Sequence, residues 1–344
     1  MEAIRVGGAT TVLVGRGVLD PGTVLGDRPG RARVAVLTQP GQPERIGAAL
    51  AAAVRAAGGA AEIRVLPDGE EAKTLAVAAG IYEWLAGLGL TRDDTVLAVG
   101  GGALTDVAGF VAATFLRGIE AVYVPTTLLG AVDASVGGKT AVNLGGKNLV
   151  GAFHHPARVV IDADVLDALP VGLRREGAAE ALKAGLVGDP ALVSLYERDG
   201  LQADLAEVVH RAVAVKAGIV DRDFREQGER AYLNYGHTIG HAIEAAAGLG
   251  HGPAVAVGMV AAGRAAARET GFEEEERQRE VIARLGLPVA APGADPAEVR
   301  RLLGLDKKRD AAGLRMVLLE RVGCPRLEHV AAATVQAALA AVGI

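Results

Sequence analysis

Cysteine is almost missing from this chain: Cys324 is the single one among 344 residues. An internal disulfide is therefore excluded, and the composition fits a reducing compartment, so a soluble cytoplasmic protein is expected. Long apolar runs are missing too. The most apolar window, Ala254 to Gly263, is stopped by Arg264, well short of the ~20 residues that cross a bilayer. Met1 to Gly8 shows no basic cap followed by an apolar stretch, so no signal peptide is expected there. Nor is there a sustained basic block. With 36 Lys and Arg against 41 Asp and Glu the net charge is −5, which disfavours nucleic acid or an anionic membrane as partner while leaving room for a small, locally held anion. Aromatic residues make up only 3% of the chain; Ala and Gly are abundant, which coding bias explains as readily as architecture.

What is present points to two domains, since single cores stop growing at roughly 250–300 residues. In the first half, short β-branched runs alternate with Ala-rich helical stretches: Val34 to Leu37, then Ile46 to Ala57, then Ile63 to Leu66. Such alternation is the pattern of βαβ units on a mostly parallel sheet. A helix over about 76–88 leads to a strand, Thr95 to Val99, and further strands follow at Ala121 to Val124 and Val159 to Asp162. Beyond Leu169-Pro170 long amphipathic segments take over, at 174–188, 190–198, 203–221, 232–247, 254–270, 273–285 and 296–303, with one short strand expected at Arg315 to Leu319. The expected fold is an α/β Rossmann-like domain over residues 1–170 and an all-α domain over 171–344.

The stretch NYGHTIGHAIEAAAGLGH, Asn234 to His251, gathers three of the seven histidines. His237 and His241 are four apart on a helical pattern, which stacks their rings about 5–6 Å apart on one face. That is metal-ligand spacing, although each ring alone is equally a partly buried, hydrogen-bonded side chain. His251 follows a Gly-Leu-Gly break that ends the helix, so it can swing back toward the same face. HTIGH lacks the Glu of the HExxH metalloprotease pattern, and there are no cysteine pairs for a structural zinc. Glu180 lies on an otherwise apolar helix face with Lys183 one turn on. Such a carboxylate needs a partner, and a salt bridge to Lys183 or a metal would each serve. Two histidines and one carboxylate leave open positions on zinc, as a catalytic site requires.

Gly100-Gly101-Gly102, after a strand and before a helix expected from about Asp106, is a candidate phosphate cradle. It is not a Rossmann G-x-G-x-x-G, because Thr105 stands in the place of the third glycine. DASVGGKT, Asp133 to Thr140, ends like a Walker A loop but has Asp133 where the first glycine belongs, so an NTPase is rejected. Lys139 and Lys147 read as cations in glycine-rich loops, and Lys216, Arg230, Lys307 and Lys308 as further cations for a phosphorylated or carboxylated substrate.

In order and wording these segments resemble the 3-dehydroquinate synthase family. PDGEEAKTL, VGGGALTDVAGFVAATFLRGI, VPTTLLGAVDASVGGKTAVNLGGKNLVGAFHHP, AEALK, LNYGHTIGHAIE and DKK stand in family order between about Leu66 and Leu319. The resemblance implies an N-terminal NAD-binding domain, a C-terminal helical domain, a homodimer, and use of NAD with one divalent metal, zinc or cobalt. It implies conversion of a phosphorylated sugar acid, 3-deoxy-D-arabino-heptulosonate 7-phosphate, to 3-dehydroquinate and phosphate. Carried over residue by residue, the metal ligands are Glu180, His237 and His251, which overrules the spacing argument. His241 goes instead to the substrate phosphate with Asn148, Lys183, Asn234, Lys307 or Lys308, and Arg117 from the other subunit. Asp133, Lys139, Lys216 and Arg230 match contacts to the substrate's carboxylate and hydroxyls. For NAD the matching positions are Glu70, Lys73, Gly101, Gly102, Asp106, Thr126, Thr127 and Lys147, with Lys139 alongside.

The chain departs from the family pattern at four places. Thr105 replaces a usual glycine, Thr38-Gln39-Pro40 lacks an asparagine near the adenosine ribose, and Leu173 stands where a glutamate is common. At the fourth, Pro253 replaces a glutamate, removing a supporting carboxylate while suiting the first turn of a helix. The nearest alternatives are another sugar-phosphate cyclase and a metal-dependent polyol dehydrogenase; a non-catalytic NAD-binding protein is the alternative outside enzymes.

Overall fold

The computed structural model describes residues 1–27, 33–305, 309–310 and 313–344. Lys307 and Lys308, expected at the substrate phosphate, lie outside them. The chain divides into two compact units, Met1–Leu169 and Pro170–Ile344, with the boundary one residue earlier than the sequence pattern places it.

Unit 1 is built on seven strands: β1 (Glu2–Val6), β2 (Thr10–Gly15), β3 (Arg33–Thr38), β4 (Ala60–Val65), β5 (Thr95–Gly100), β6 (Glu120–Pro125) and, after the short antiparallel hairpin β7 (Lys139–Val142) and β8 (Val150–Phe153), β9 (Arg158–Asp162). Their order across the sheet is β1-β2-β9-β6-β5-β3-β4, parallel throughout except for β1 on β2. Buried on both faces, β3, β5, β6 and β9 read as continuous apolar runs, which is why they are legible in sequence. β1 and β2 form a leading antiparallel pair that the βαβ pattern does not announce. Helices α1 (Pro21–Leu25), α2 (Gln42–Ala56), α3 (Leu75–Gly87), α4 (Gly102–Thr114) and α5 (Ala163–Asp167) complete the unit. Val36, Leu97, Val122 and Val160 join Leu50 and Val54 of α2 in one core on one sheet face. On the opposite face α4 crosses so closely that a Cβ on Gly109 would lie 2.2 Å from the Tyr123 hydroxyl. From β3 the chain runs outward to β4, then returns to β5 on the other side of β3. The carboxyl ends of β3 and β5 thus flank the topological switch point, where open α/β sheets place their ligands.

Unit 2 is mainly helical: α6 (Val171–Gly188), α7 (Pro190–Asp199), α8 (Leu205–Arg222), α9 (His237–Ala247), α10 (His251–Glu269), α11 (Glu275–Arg284), α12 (Pro296–Leu305) and α13 (Ala332–Ala341). It is not all helix. The expected strand at 315–319 is the middle of β11 (Gly313–Arg321), which pairs antiparallel with β10 (Arg309–Asp310) and β12 (Cys324–Val330). The hairpin turn Val322-Gly323 that makes this sheet carries a single glycine, a weak signal beside the helical periodicity around it. Among the described residues no helix is long and apolar enough to cross a membrane.

Candidate active site

In unit 1 the glycine loop leaves β5 at the switch point. A Cβ on Gly100 would lie 2.4 Å from the Leu104 side chain, and one on Gly102 would lie 2.9 Å from the Ala134 Cβ, so a side chain at either place would force a neighbour to shift. Gly101 begins α4 with extended backbone, and Gly102 is its first residue; the helix starts four residues before Asp106, where the sequence pattern puts it. Thr105 is therefore inside the helix, buried, with its hydroxyl donating 2.9 Å to the Gly102 carbonyl, a place that needs no glycine. Gln39, where an asparagine is usual, ties the end of β3 to the loop: its Oε1 accepts from the Gly101 N–H at 3.3 Å and its Nε2 donates to Pro67 O at 3.3 Å. Thr126 is buried at the end of β6, and the Thr127 hydroxyl accepts from Gly130 N–H, opening the turn Gly130–Ala134 that carries Asp133.

Four of the expected cofactor and substrate residues join one polar chain. The Lys73 ammonium, buried, donates to Asp106 at 2.7 Å and to Asn148 Oδ1 at 2.6 Å. An ammonium only donates, so the Asn148 amide must turn its oxygen to Lys73 and its NH₂ away. Asn143 links Asn148 in turn to Glu70. Burial pushes the Asp106 carboxyl up to about 6 against the pull of Lys73, with Asp133 and Glu70 adding to the rise. A cavity of about 420 Å³ opens beside Asp106, Lys139, Asn148 and Phe153. Lys147 is exposed in the loop before Asn148. Arg117 is exposed after α4, and both it and Leu116 adopt left-handed backbone, at φ 63 and 51.

In unit 2 three helices converge because small residues let them. A Cβ on Gly258 of α10 would lie 2.0 Å from Gly236 O and 2.7 Å from Gly240 N, so α9 and α10 touch backbone to backbone. A Cβ on Gly252 would lie 2.4 Å from Glu176 O, which brings the start of α10 onto α6. Gly236, at φ 78, starts α9, and Pro253 fits the first turn of α10. These approaches gather Glu180 from α6, His237 from the start of α9 and His251 from the start of α10 into one group whose ligand atoms lie within 4.8 Å of one another.

The protonation pattern is set by the neighbours. His237 Nδ1 faces the Tyr235 carbonyl at 3.1 Å, and His251 Nδ1 faces Glu244 Oε2 at 3.2 Å. Both partners only accept, so both Nδ1 atoms carry hydrogen, and in a neutral ring it is Nε2 that is left with the lone pair. The two Nε2 atoms point at the same oxygen, Glu180 Oε1, at 3.3 and 3.2 Å. The other oxygen, Oε2, forms an ion pair with Lys183 at 2.5 Å without hydrogen-bond geometry. Burial opposes ionisation of Glu180, yet the Lys183 ammonium and the His237 ring prevail and hold its carboxyl well below the usual range. For His251 burial opposes the charge, but Glu180 and Glu244 outweigh it and push the ring up to about 10. Three acceptors meeting around one point demand positive charge there, from protons or from a metal ion. Zinc bonded at ~2.0–2.1 Å in a tetrahedron keeps its ligand atoms roughly 3.3–3.4 Å apart. The Glu180 to histidine separations fit that edge, and each histidine has the backed Nδ1–H that ligating imidazoles require.

His241 lies outside this triad. Its ring is 5.1 Å from His237 and 5.9 Å from His251, and it belongs to a second, more exposed group with Glu244 and His251. Glu244 is a residue that sequence reading missed: it supplies the supporting carboxylate whose loss was expected at Pro253, and its place seven residues before His251 is visible only once α9 and α10 fold together. Glu226 was also missed. It adopts φ 57 and accepts from Asn234 Nδ2 at 2.8 Å, and its only signal in the sequence is an acid in the short connection between helices. Lys216 and Arg230 are buried, Arg230 donating to Phe224 O at 2.5 Å with its guanidinium 5.9 Å from the Phe224 ring.

Comparison with known proteins agrees along the chain. The 3-dehydroquinate synthase N-terminal family profile matches residues 63–176 and the 3-dehydroquinate synthase C-terminal profile matches residues 177–309. A 3-dehydroquinate synthase of Thermobifida fusca (strain YX) is 44% identical over 339 residues, spanning 94% of this chain and 91% of that one. Another, of Mycolicibacterium gilvum (strain PYR-GCK), is 45% identical over 332 residues, spanning 92% and 91%. Among solved structures, 2-deoxy-scyllo-inosose synthase complexed with carbaglucose-6-phosphate, NAD+ and Co2+ superposes with a TM-score of 0.88 at 29% identity, covering 98% of this chain and 99% of that one. The ValA 2-epi-5-epi-valiolone synthase of Streptomyces hygroscopicus subsp. jinggangensis 5008, with NAD+ and Zn2+ bound, superposes with a TM-score of 0.87 at 28% identity, covering 99% and 98%. Glycerol dehydrogenase of Schizosaccharomyces pombe, at 16% identity and a TM-score of 0.68, shares the fold alone. With a buried His-His-carboxylate group in one unit, a glycine turn at the switch point of the other, and family matches running through both, this chain belongs to the 3-dehydroquinate synthase family.

Proposed function

We propose that the chain converts 3-deoxy-D-arabino-heptulosonate 7-phosphate to 3-dehydroquinate and phosphate, using NAD and one divalent metal ion. The observation that carries this is the convergence of three acceptors, Glu180 Oε1 and the Nε2 atoms of His237 and His251, in a family member matched along most of its length. Zinc or cobalt held by those three would supply Lewis acidity, lowering the pKa of a substrate hydroxyl and stabilising the carbonyl formed from it. NAD, held through Glu70, Lys73, Gly101, Gly102, Asp106, Thr126, Thr127 and Lys147, would accept a hydride transiently and return it.

The chain's own residues bind and orient. Asn148 offers its NH₂ to a phosphate oxygen, because Lys73 already occupies its carbonyl. Lys183 pairs with Glu180 and adds positive charge for the phosphate, together with Asn234 and His241. Cations placed where charge develops stabilise the departing phosphate. Lys216 and Arg230, out of water, bind a carboxylate more strongly than surface cations would. Asp133 and Lys139 take the hydroxyls. Arg117 on its left-handed turn is proposed to reach the phosphate of a second copy, in a homodimer.

Incubating the metal-loaded protein with NAD and the heptulosonate phosphate is expected to release phosphate with no net NADH. No phosphate release would sink the proposal. A second reading, a cyclase acting on sedoheptulose 7-phosphate or glucose 6-phosphate, is favoured by the two superposed cyclases. The 40–45% identity to 3-dehydroquinate synthases weighs against it, and a panel of the three sugar phosphates decides.

A further inference from the structure

Asn143, which no part of the proposed reaction uses, makes three hydrogen bonds that tie two chain segments together. Its backbone N–H donates to Lys73 O at 2.8 Å, extending the bridge between Thr74 and residue 143. Its side-chain oxygen accepts from the Asn148 N–H at 2.9 Å, and its amide nitrogen donates to Glu70 Oε2 at 2.7 Å. The orientation of this amide is unambiguous, since an N–H only donates and a carboxylate only accepts. Both residues it holds need holding. Asn148 has left-handed backbone, φ 58, at the end of an exposed glycine-rich loop, and Glu70 is exposed in a single helical turn. Lys73, between them, reaches Asn148 by its side chain and Asn143 by its carbonyl.

We propose that Asn143 is a positioning residue that sets the Glu70 carboxylate and the Asn148 amide together, and so links the cofactor site to the substrate site. This rests on the reading above, in which Glu70 and Lys73 face NAD and Asn148 faces the substrate phosphate. The two halves of the amide divide the work. The oxygen places Asn148 and hence the phosphate; the nitrogen places Glu70 and hence NAD.

Two variants separate those halves. Asn143→Asp keeps an oxygen for the Asn148 N–H but sets a carboxylate against Glu70, whereas Asn143→Ala removes both contacts. A lost hydrogen bond to a charged or strained partner corresponds to roughly a tenfold change in affinity. In the metal-loaded, full-length protein, Asn143→Asp is expected to raise the Kd for NAD about tenfold, measured by fluorescence titration, while leaving the KM for the sugar phosphate within about twofold. Asn143→Ala is expected to raise both about tenfold. Melting temperatures are read alongside. If the two variants move both constants alike, or neither constant, the division of roles is wrong and Asn143 is only structural. Glu70→Ala and Asn148→Ala are the controls: if they alter neither NAD affinity nor KM, the placement of those two residues at ligands fails instead, independently of what Asn143 does.

Discussion

Replacing His251 and His241 separately tests which of two overlapping clusters would hold the proposed metal ion. Glu180, His237 and His251 form the buried one; His241, Glu244 and His251 form the other. Zinc bound by four ligands is worth ~10–16 kcal/mol, or roughly 2.5–4 kcal/mol for each, which is about 10²–10³ in affinity. His251→Ala is expected to lose that much, because it removes one of three protein ligands and leaves Glu180 Oε1 facing His237 alone. His241 is an exposed ring on α9, so His241→Ala is expected to keep its affinity within about threefold and to be impaired in turnover only. Glu244→Gln sits between them: it weakens the hold on His251 Nδ1 without removing a ligand, and such changes cost about 10–100-fold. Competition against a chromogenic chelator gives the affinities, and metal content after dialysis gives the stoichiometry. If His241→Ala loses metal as fully as His251→Ala while Glu180→Gln retains it, the metal sits on the second cluster and the assignment is refuted.

Other outcomes follow from the same contacts. Gly258→Ala puts a methyl 2.0 Å from Gly236 O, backbone that cannot rotate away, so it is expected to cost at least ~1–3 kcal/mol in thermal or urea unfolding and to lower metal content with it; a variant as stable as the parent would show that α9 and α10 pack less tightly than described. Metal uptake should release protons, since the His251 ring is pushed up to about 10 in the metal-free chain and must be neutral to ligate. Calorimetry at pH 7.5 in buffers of different ionisation enthalpy measures that release, and a value of zero would contradict it. The same group sets a stability trend. Its folded pKa lies above the unfolded value, so its contribution is complete below about 6.5 and is lost as pH rises toward 10. Metal-free protein is thus expected to lose melting temperature over that window while the metal-loaded form does not.

The contrast between legible and hidden features follows the range of the interactions involved. Strands such as Thr95–Gly100 and helices such as Leu205–Arg222 are written locally, in runs buried on both faces or in a 3.6-residue period, and the sequence alone determined them, along with the division near Pro170. It supplied candidate ligands as well: spacing within α9 paired His237 with His241, whereas the family resemblance pointed to Glu180, His237 and His251. How those three come together only the tertiary structure decides: Gly236, Gly240, Gly252 and Gly258 allow three helices to approach until Glu180 meets His237 and His251 from different elements. The start of α4 at Gly102, which puts Thr105 inside a helix, depends on the contacts of Gly100 and Gly102 with Leu104 and Ala134 rather than on a glycine count. Glu244 behind His251, Gln39 on the glycine loop and Asn143 between Glu70 and Asn148 likewise have no periodicity to betray them. Residue type and local period supply the elements and the candidate groups, and the order and wording of the motifs supply the family; which atoms share a site is settled by contacts between elements far apart in sequence, and those exist only in the folded chain.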